Sequence, residues 1–234
     1  MKNQYVGDYN DFVNYAVLRA ILSEGLPLTV CWMLTDDDQG PDGRKLRYLE
    51  QPSIFGELDR EVFTSLGAIV SANERRVSAI EESGLLSGAR YYGRLLEDHT
   101  SSRLMFFHGL WEAAERESVL FFDPDNGFEV PSTPRGRRHS AKYVYWDEIA
   151  EAFRRGHSVV VLQHFAREKR EAHIARLLQR LGKETEGWTF ALSSANVAFL
   201  GAAQPEHAEG LSRAGSGLSR RWGTRLRATN LAQR

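Results

Sequence analysis

The fold is decided by a stretch in the middle of the chain, Ser118-Val-Leu-Phe-Phe-Asp-Pro-Asp-Asn-Gly127. Its apolar half is short and carries β-branched and aromatic residues, which is typical of a strand buried on both faces. Its polar half has the Asp, Pro, Asn and Gly composition of a turn. Two similar apolar runs, Leu28–Leu34 and His157–Gln163, are also followed by polar loops. Together these runs predict three buried strands.

Segments with apolar residues at helical spacing separate the predicted strands, and a β-hairpin is predicted near the end. The predicted helices are Phe12–Ser23, Asp59–Val70, Arg75–Leu86, Ser102–Glu117, Trp146–Arg155 and Arg167–Leu181, and the hairpin strands are Trp188–Ser193 and Asn196–Gly201. This alternation predicts a Rossmann-like α/β domain with a mostly parallel sheet, helices on both faces and a C-terminal β-hairpin. We expect this domain to span residues 1–204 and a loosely ordered basic tail to span residues 205–234.

The composition narrows the class of protein. The net charge of −1 does not indicate a polyanion partner, although the first part of the chain is acidic and residues 134–170 are mainly basic. The one cysteine, Cys31, cannot form an internal disulfide bond, which fits a reducing compartment. The N-terminus lacks a signal-peptide pattern, and no apolar run approaches about 18 residues. We therefore expect a cytoplasmic protein that does not enter a membrane, and no pattern fixes its oligomeric state.

Candidate catalytic residues follow the predicted strands, because ligands bind at the carboxyl ends of the strands in open α/β sheets. Asp123, Asp125 and Asn126 come directly after the central strand, and His164 follows the third. Carboxylates and imidazoles at such an edge are candidates for general acid and base catalysis. The alternative for the first three is an ordinary strand-to-loop turn, and for His164 an ordinary surface histidine.

A second polar cluster, Gly7-Asp8-Tyr9-Asn10-Asp11, precedes the first predicted helix. Glycine allows close approach to the backbone, and the polar groups lie at a helix N-terminus. Asp11 is the predicted N-cap of this helix. The cluster is therefore a candidate ligand-binding site, with simple helix capping as the alternative.

Acidic and basic loops suggest a metal-dependent alternative. Carboxylates of Asp36, Asp123, Asp125 and Glu129 would bind a divalent metal, assisted by Lys142 or His164. The pair Pro124-Asp125 is similar to part of a nuclease core, but Ser140-Ala141-Lys142 lacks the acid of that pattern. A basic run with Arg135, Arg137 and Lys142, together with the arginine-rich chain after Pro205, would contact phosphates or a partner, with solvated loops as the alternative.

The order of two motifs resembles bacterial large-subunit ribosomal RNA adenine-N6 methyltransferases. The segment Gly7-Asp8-Tyr9-Asn10-Asp11-Phe12 resembles their Gly-Asn-His-Ala-Asp-Val opening, and Asp123-Pro124-Asp125-Asn126 stands where they have Asp-Pro-Pro-Tyr. The chain is also similar to the three-Cys-motif partner proteins. This resemblance implies that S-adenosylmethionine binds along a set of residues near the first helix and strand, and that Asp123 orients the target amine of a nucleic acid. The implied cofactor-binding residues are Gly7, Asp8, Tyr9, Asp11, Thr35 and Asp36.

The chain departs from that family at two places. The loop from Thr35 to Gly43 is acidic and has no Gly-x-Gly, and Asp125 and Asn126 replace the second proline and the aromatic residue. Phe128 is then the candidate for the ring that stacks on the target base. Three interpretations stay open: a methyltransferase acting on an exocyclic amino group of nucleic acid, a metal-dependent nuclease, and a binding module on a methyltransferase-like scaffold.

Overall fold

The computed structural model of the chain describes residues 1–38, 40, 42–165 and 168–231. Within these residues the α-helices are α1 (Tyr9–Ser23), α2 (Pro52–Leu58), α3 (Arg60–Ser71), α4 (Val77–Glu82), α5 (Thr100–Ala113), α6 (Trp146–Arg154), α7 (Arg170–Thr185) and α8 (Pro205–Trp222). The strands are β1 (Leu28–Cys31), β2 (Arg90–Tyr92), β3 (Val119–Phe122), β4 (Gly127–Phe128), β5 (Tyr143–Val144), β6 (Ser158–His164), β7 (Trp188–Ser193), β8 (Val197–Ala203) and β9 (Arg227–Thr229).

Seven of these strands form one sheet in the order β2-β1-β3-β6-β8-β7-β9, and β4 pairs with β5 separately. Strands β2, β1, β3 and β6 are parallel, whereas β8 is antiparallel to both β6 and β7, and β9 is antiparallel to β7. The predicted Rossmann-like α/β fold with a mostly parallel sheet is therefore confirmed. The predicted hairpin is β7 and β8.

Each central strand is buried on both faces, because successive side chains point to opposite sides of the sheet. Val30 and Phe121 pack with α1, α3, α4 and α8 in one apolar core. Cys31 and Phe122, the next residue in each strand, pack with α5, α6 and α7 in the other core. Helices therefore cover both faces, and charged side chains are restricted to the ends of the central strands.

The order of the strands places a crevice beside β3. From β1 the chain crosses to β2 on one side, and it then returns to form β3 on the other side of β1. The loops that leave the carboxyl ends of β1 and β3 consequently diverge, and ligands bind at such a switch point in open α/β sheets. Cys31 and Phe122 end their strands directly opposite each other, and Asp123 is the next residue.

Two sequence predictions about local structure were wrong. The N-cap of α1 is Asp8, whose carboxylate accepts a hydrogen bond from Asn10 N at 2.9 Å, whereas Asp11 lies inside the first turn. The predicted loosely ordered tail after residue 204 instead forms α8 and β9, although residues 232–234 lie outside the described structure. Each described helix is too short or too polar to cross a membrane.

Helix α8 is ordered by packing that its composition conceals. Leu211, Leu218 and Trp222 recur at helical spacing and are buried, and the ring of Trp222 lies 5.2 Å from that of Phe12 on α1. A Cβ atom on Gly215 would lie 2.5 Å from Leu231, so the glycine allows close packing there. The Gly- and Ser-rich composition therefore reflects small residues at contacts.

This packing predicts a large effect of Trp222→Ala. Removing a buried indole that packs on α1 leaves a cavity, and we expect the free energy of unfolding to fall by about 3–5 kcal/mol. Urea unfolding followed by circular dichroism measures it. The control is Arg221→Ala, whose side chain is exposed and whose loss should cost less than about 0.5 kcal/mol. Equal stability of Trp222→Ala and the control would contradict the docking of α8.

Candidate functional site

A cleft of about 460 Å³ opens at the carboxyl ends of β3 and β6. It combines carboxylates, cations, one phenol ring and one imidazole ring. Its lining residues are Met1, Tyr5, Asp8, Asn10, Asp11, Asp38, Asp42, Gly43, Arg44, Lys45, Asp123, Pro124, Asp125, Asn126, Lys142, Leu162 and His164. The volume is in the usual range for small-molecule sites. All four of the predicted catalytic residues are in this list.

Asp123 is a buried carboxylate with little compensation. It is 2% exposed, and its backbone N–H extends the β3 ladder by donating to Cys31 O at 3.0 Å. Its Oδ2 accepts a long hydrogen bond of 3.4 Å from Asn14 Nδ2. Burial raises the pKa of Asp123 to about 7, and repulsion from Asp125 adds to the effect, while the Met1 ammonium group and Asn14 oppose it. Asp123 is thus poised to exchange a proton near neutral pH.

Asp11 is a second buried carboxylate beside Asp123. Its Oδ2 accepts hydrogen bonds from Gly7 N at 3.2 Å and from the Tyr15 hydroxyl at 3.1 Å. Burial raises the pKa of Asp11 well above its usual range, and repulsion from Asp123 and Asp8 adds to this shift. The two acids oppose each other's ionisation, so a cation bound between them would be stabilised.

Asp125 has the opposite environment although it is only two residues away. Its carboxylate lies 2.8 Å from the Met1 ammonium group and accepts a hydrogen bond of 3.0 Å from the Thr35 hydroxyl. Burial acts to raise the pKa of Asp125, but the ammonium group and the hydroxyl outweigh it and hold that pKa below its usual value. Asp125 is therefore a fixed anion, whereas Asp123 is titratable.

The turn between β3 and β4 is held by Gln163. Its Oε1 accepts from Phe128 N at 2.8 Å, and its Nε2 donates to Asn126 O at 3.2 Å. Gly127 has φ +116°, and a Cβ atom there would lie 2.2 Å from Gln163 Oε1, so this turn requires glycine. His164 N also donates to Asn126 O, at 3.2 Å. Burial lowers the pKa of the His164 imidazole, so it is neutral at pH 7.

Only some of the predicted cofactor-binding residues from the N-terminal cluster lie at the cleft. Asp8 and Asp11 line the cleft. Gly7 supports them from behind, because its N–H donates to Asp11 and a Cβ atom there would lie 2.5 Å from Val70. Tyr9 instead packs its ring against Tyr48 and Phe55, at 5.9 and 5.8 Å.

The loop after β1 does not supply the predicted cofactor contacts. Thr35 is buried and positions Asp125. Asp36 is exposed and lines a separate groove, together with Asp98 and His139. The interpretation of Asp36 as a residue of the main cleft is therefore not supported by its position.

The structure brings only one of the four predicted substrate-binding residues to the cleft, namely Lys142. Phe128 is buried and stacks on Trp146 with the ring centroids 4.0 Å apart. Arg135 forms an ion pair with Asp147 and lies 4.6 Å above the Tyr145 ring. Phe128 is held by core packing and Arg135 by its ion pair with Asp147. Both residues therefore stabilise the segment between β4 and α6. Arg137 is exposed and outside the cleft lining.

The carboxylates proposed as metal ligands are not assembled into one set. Asp36 lies in the separate groove, and Glu129 accepts from Trp146 N at 3.0 Å at the start of α6. Within residues 1–38, 40, 42–165 and 168–231, no group of three or more His, Cys, Asp or Glu side chains is arranged to hold a metal ion.

Several cleft residues were missed by sequence reasoning. The N-terminal segment crosses the carboxyl edge of the sheet, where the Met1 ammonium group donates to Asp123 O at 2.8 Å. Tyr5, Asn10 and Lys45 also line the cleft. Asn10 Oδ1 is buried and has no hydrogen-bond partner among the described residues. Only Asn10 carried a signal, since it belongs to the polar cluster Gly7–Asp11, which spans the start of α1.

Comparison with known proteins gives one structural match of low similarity to report. No protein-family model matches the chain, and no curated protein matches it. The chain is similar to the crystal structure of LPL1258 from Legionella pneumophila strain Philadelphia 1, which carries the family-model DUF519. The TM-score is 0.49 at 12% sequence identity, and the match covers 95% of this chain and 96% of that chain.

The raised pKa of Asp123 predicts a specific dependence of stability on pH. An aspartate in the unfolded chain has its usual pKa near 4, whereas the folded-state pKa of Asp123 is about 7. The folded chain therefore binds more protons between these values, and this group makes the free energy of unfolding fall as pH rises through that window. Asp123→Asn removes the effect. We expect its stability relative to wild type to increase by about 2–3 kcal/mol from about pH 5 to about pH 8.

Urea unfolding of both proteins at the two pH values measures this difference. The control is Asp36→Asn, which removes a carboxylate that is exposed and lies outside the lining of the cleft. If the relative stability of Asp123→Asn is the same at both pH values, Asp123 ionises normally and the electrostatic description of the cleft is wrong.

Proposed function

We propose that the chain is an S-adenosylmethionine-dependent methyltransferase that acts on an exocyclic amino group of nucleic acid. The observation that carries the proposal is the state of Asp123. It is a buried carboxylate with a pKa of about 7, it follows β3 at the switch point of the sheet, and it lines a cleft of ligand size. A group with these properties is suited to accept a proton near neutral pH.

The cleft has features that fit S-adenosylmethionine. The molecule carries a sulfonium and an ammonium group, and the mutually repelling carboxylates of Asp11 and Asp123 favour a cation. Asn10 Oδ1 is a buried acceptor without a partner among the described residues, so it is free to accept from an N–H of a ligand. Arg44 and Lys45 line the same cleft and suit a ligand carboxylate. S-Adenosylmethionine, when bound, supplies the methyl group.

The residues of the chain would then act on the amine. An exocyclic amine nitrogen gains a methyl group and must lose one proton. Asp123, ionised, accepts a hydrogen bond from that amine and takes the proton as the new bond forms. Asp125 remains charged through its contacts with Met1 and Thr35, which keeps a constant negative potential beside Asp123. Tyr5 supplies the phenol ring of the cleft, and it replaces Phe128 as the candidate for stacking on the target base.

A binding module on the same scaffold is the second candidate. It is favoured because residues at and after the Asp123–Asn126 motif have structural roles. Asp125 is occupied by an ion pair and a hydrogen bond, and Phe128 is in the core. In that case the cleft would recognise a cationic or nucleoside-like ligand without transferring a methyl group.

Isothermal titration calorimetry with S-adenosylmethionine and S-adenosylhomocysteine tests the proposal first. We expect binding with a Kd on the order of micromolar, weakened by Asp11→Asn because one of the two carboxylates that favour a cation is lost. The control is Glu57→Gln, an exposed carboxylate outside the cleft lining, which should bind like wild type. Absence of binding at millimolar ligand would eliminate the methyltransferase and leave the binding module.

Methyl transfer to nucleic acid, measured with a labelled methyl group, separates the two candidates. We expect Asp123→Asn to bind S-adenosylmethionine more weakly, like Asp11→Asn, and at saturating S-adenosylmethionine to lose about 10²–10⁴-fold in rate, the usual contribution of a general base. The wild-type rate should rise with pH to a plateau above about 7, since Asp123 must be ionised. Binding by wild type without transfer to DNA or RNA would favour the binding module.

A further inference from the structure

A second groove, of about 810 Å³, lies between α7, β7 and the chain that follows α8. It collects arginines from distant parts of the sequence. Arg170 begins α7, Arg225 ends the short 3-10 helix Gly223–Arg225, and Arg227 begins β9. All three side chains line the groove and are exposed. We call it the arginine groove.

The arginines are presented by a rigid anchor. Trp222 and Leu226 are buried at 1% and 0% exposure, and they fix the chain on either side of Arg225. Arg227 lies in β9 directly opposite Ser193, the last residue of β7. Leu226 is buried while its two neighbours are exposed, so Arg225 and Arg227 are both directed outward. The basic segment that the sequence places after Pro205 is thus partly folded into a defined surface.

The arginine groove has an excess of positive charge, with three arginines and one acid among its described lining residues. None of its three arginines forms a salt bridge with a described residue, and Glu171 is the one acid among the described lining residues. Hydroxyl groups of Ser193 and Thr229 lie in the same lining. Guanidinium and hydroxyl donors together suit the oxygens of a phosphodiester.

The arginine groove and the cleft that contains Asp123 lie at the same edge of the sheet. Strand β7 runs parallel to β3 and is three strands away, about 14 Å at the usual strand spacing. Tyr9 lines the groove, and its neighbours Asp8 and Asn10 line the cleft. A ligand that occupies both must be an extended anion carrying a group that enters an acidic cleft.

We infer that the arginine groove binds the phosphate backbone of single-stranded nucleic acid and directs one of its bases to the cleft. An acidic peptide has the same charge, but it lacks the planar base that Tyr5 and Asp123 would receive, so nucleic acid is the better match. The choice of nucleic acid rests on the proposed methyl transfer, whereas the affinity of the arginine groove for a polyanion does not. Arginine side chains commonly contact phosphates along a positively charged groove, and such contacts carry no sequence information.

Fluorescence anisotropy with a labelled single-stranded RNA, and with the matching DNA, of about twelve nucleotides tests the inference. The full chain is compared with the triple variant Arg170→Gln, Arg225→Gln, Arg227→Gln. The matched control is Arg60→Gln, Arg94→Gln, Arg116→Gln, which removes the same charge at exposed arginines that lie outside the groove lining and outside the salt bridges described above. Circular dichroism verifies that each variant is folded.

We expect the groove variant to bind at least about tenfold more weakly at low salt, and the control variant to bind like wild type. The slope of log affinity against log salt should fall in magnitude by about 2, because each lost phosphate contact contributes about 0.7 for single strands. If the triple variant is unfolded, Arg170→Gln alone replaces it, with a reduction of about 0.7 in the slope.

Equal losses in the groove and control variants would overturn the inference, because binding would then follow net charge alone. Equal or tighter binding of labelled polyglutamate to the wild type would overturn the choice of nucleic acid. The proposed methyltransferase is judged separately by S-adenosylmethionine calorimetry. Groove-dependent RNA binding without S-adenosylmethionine binding would support the arginine groove and refute the methyltransferase. Binding of S-adenosylmethionine without groove-dependent RNA binding would refute the arginine groove and leave the methyltransferase standing.

Discussion

Burial of the central strands on both faces is the constraint on which the rest of the structure depends. Because β1, β3 and β6 have apolar cores above and below them, charged side chains are tolerated only where a strand ends. Asp123 and His164 lie at such ends. The same constraint gives the site its electrostatics, since a carboxylate one residue beyond a fully buried strand is itself removed from water. The fold therefore determines both the position of Asp123 and its raised pKa.

The contrast between Asp123 and Asp125 shows how the chain distributes a small number of compensating groups. Met1 and Thr35 both serve Asp125, whereas the Asp123 carboxylate receives one long hydrogen bond from Asn14. Two acids close together in one cleft are thus given different protonation behaviour by different neighbours. Such a divergence is a recognised mark of acid–base sites, although ion-pair networks in structural regions also produce it.

The sequence predicted the elements that depend on local patterns. Apolar runs identified β1, β3, β6 and the hairpin, and strand ends identified Asp123 as a residue of the site. Predictions failed where a distant partner decides the outcome. Phe128 was predicted to stack on a base, but it stacks on Trp146. Arg135 was predicted to bind phosphates, but it forms an ion pair with Asp147. Helix α8 was missed because glycine and serine lower helix propensity, whereas packing against α1 compensates for it.

The charges of the molecule acquire a pattern only after folding. The net charge of −1 indicates no partner, and an acidic first part with a basic later part is common in solvated proteins. Folding brings acidic and basic side chains to one edge of the sheet, with buried carboxylates directly after β3 and exposed arginines at the start of α7, after α8 and in β9. The two proposed ligands, a cationic methyl donor and an anionic backbone, have opposite electrostatic requirements, and two separate sites on one edge would satisfy each without neutralising the other. Because the two sites are three strands apart, each would retain its own potential, and the proposed extended ligand would reach both.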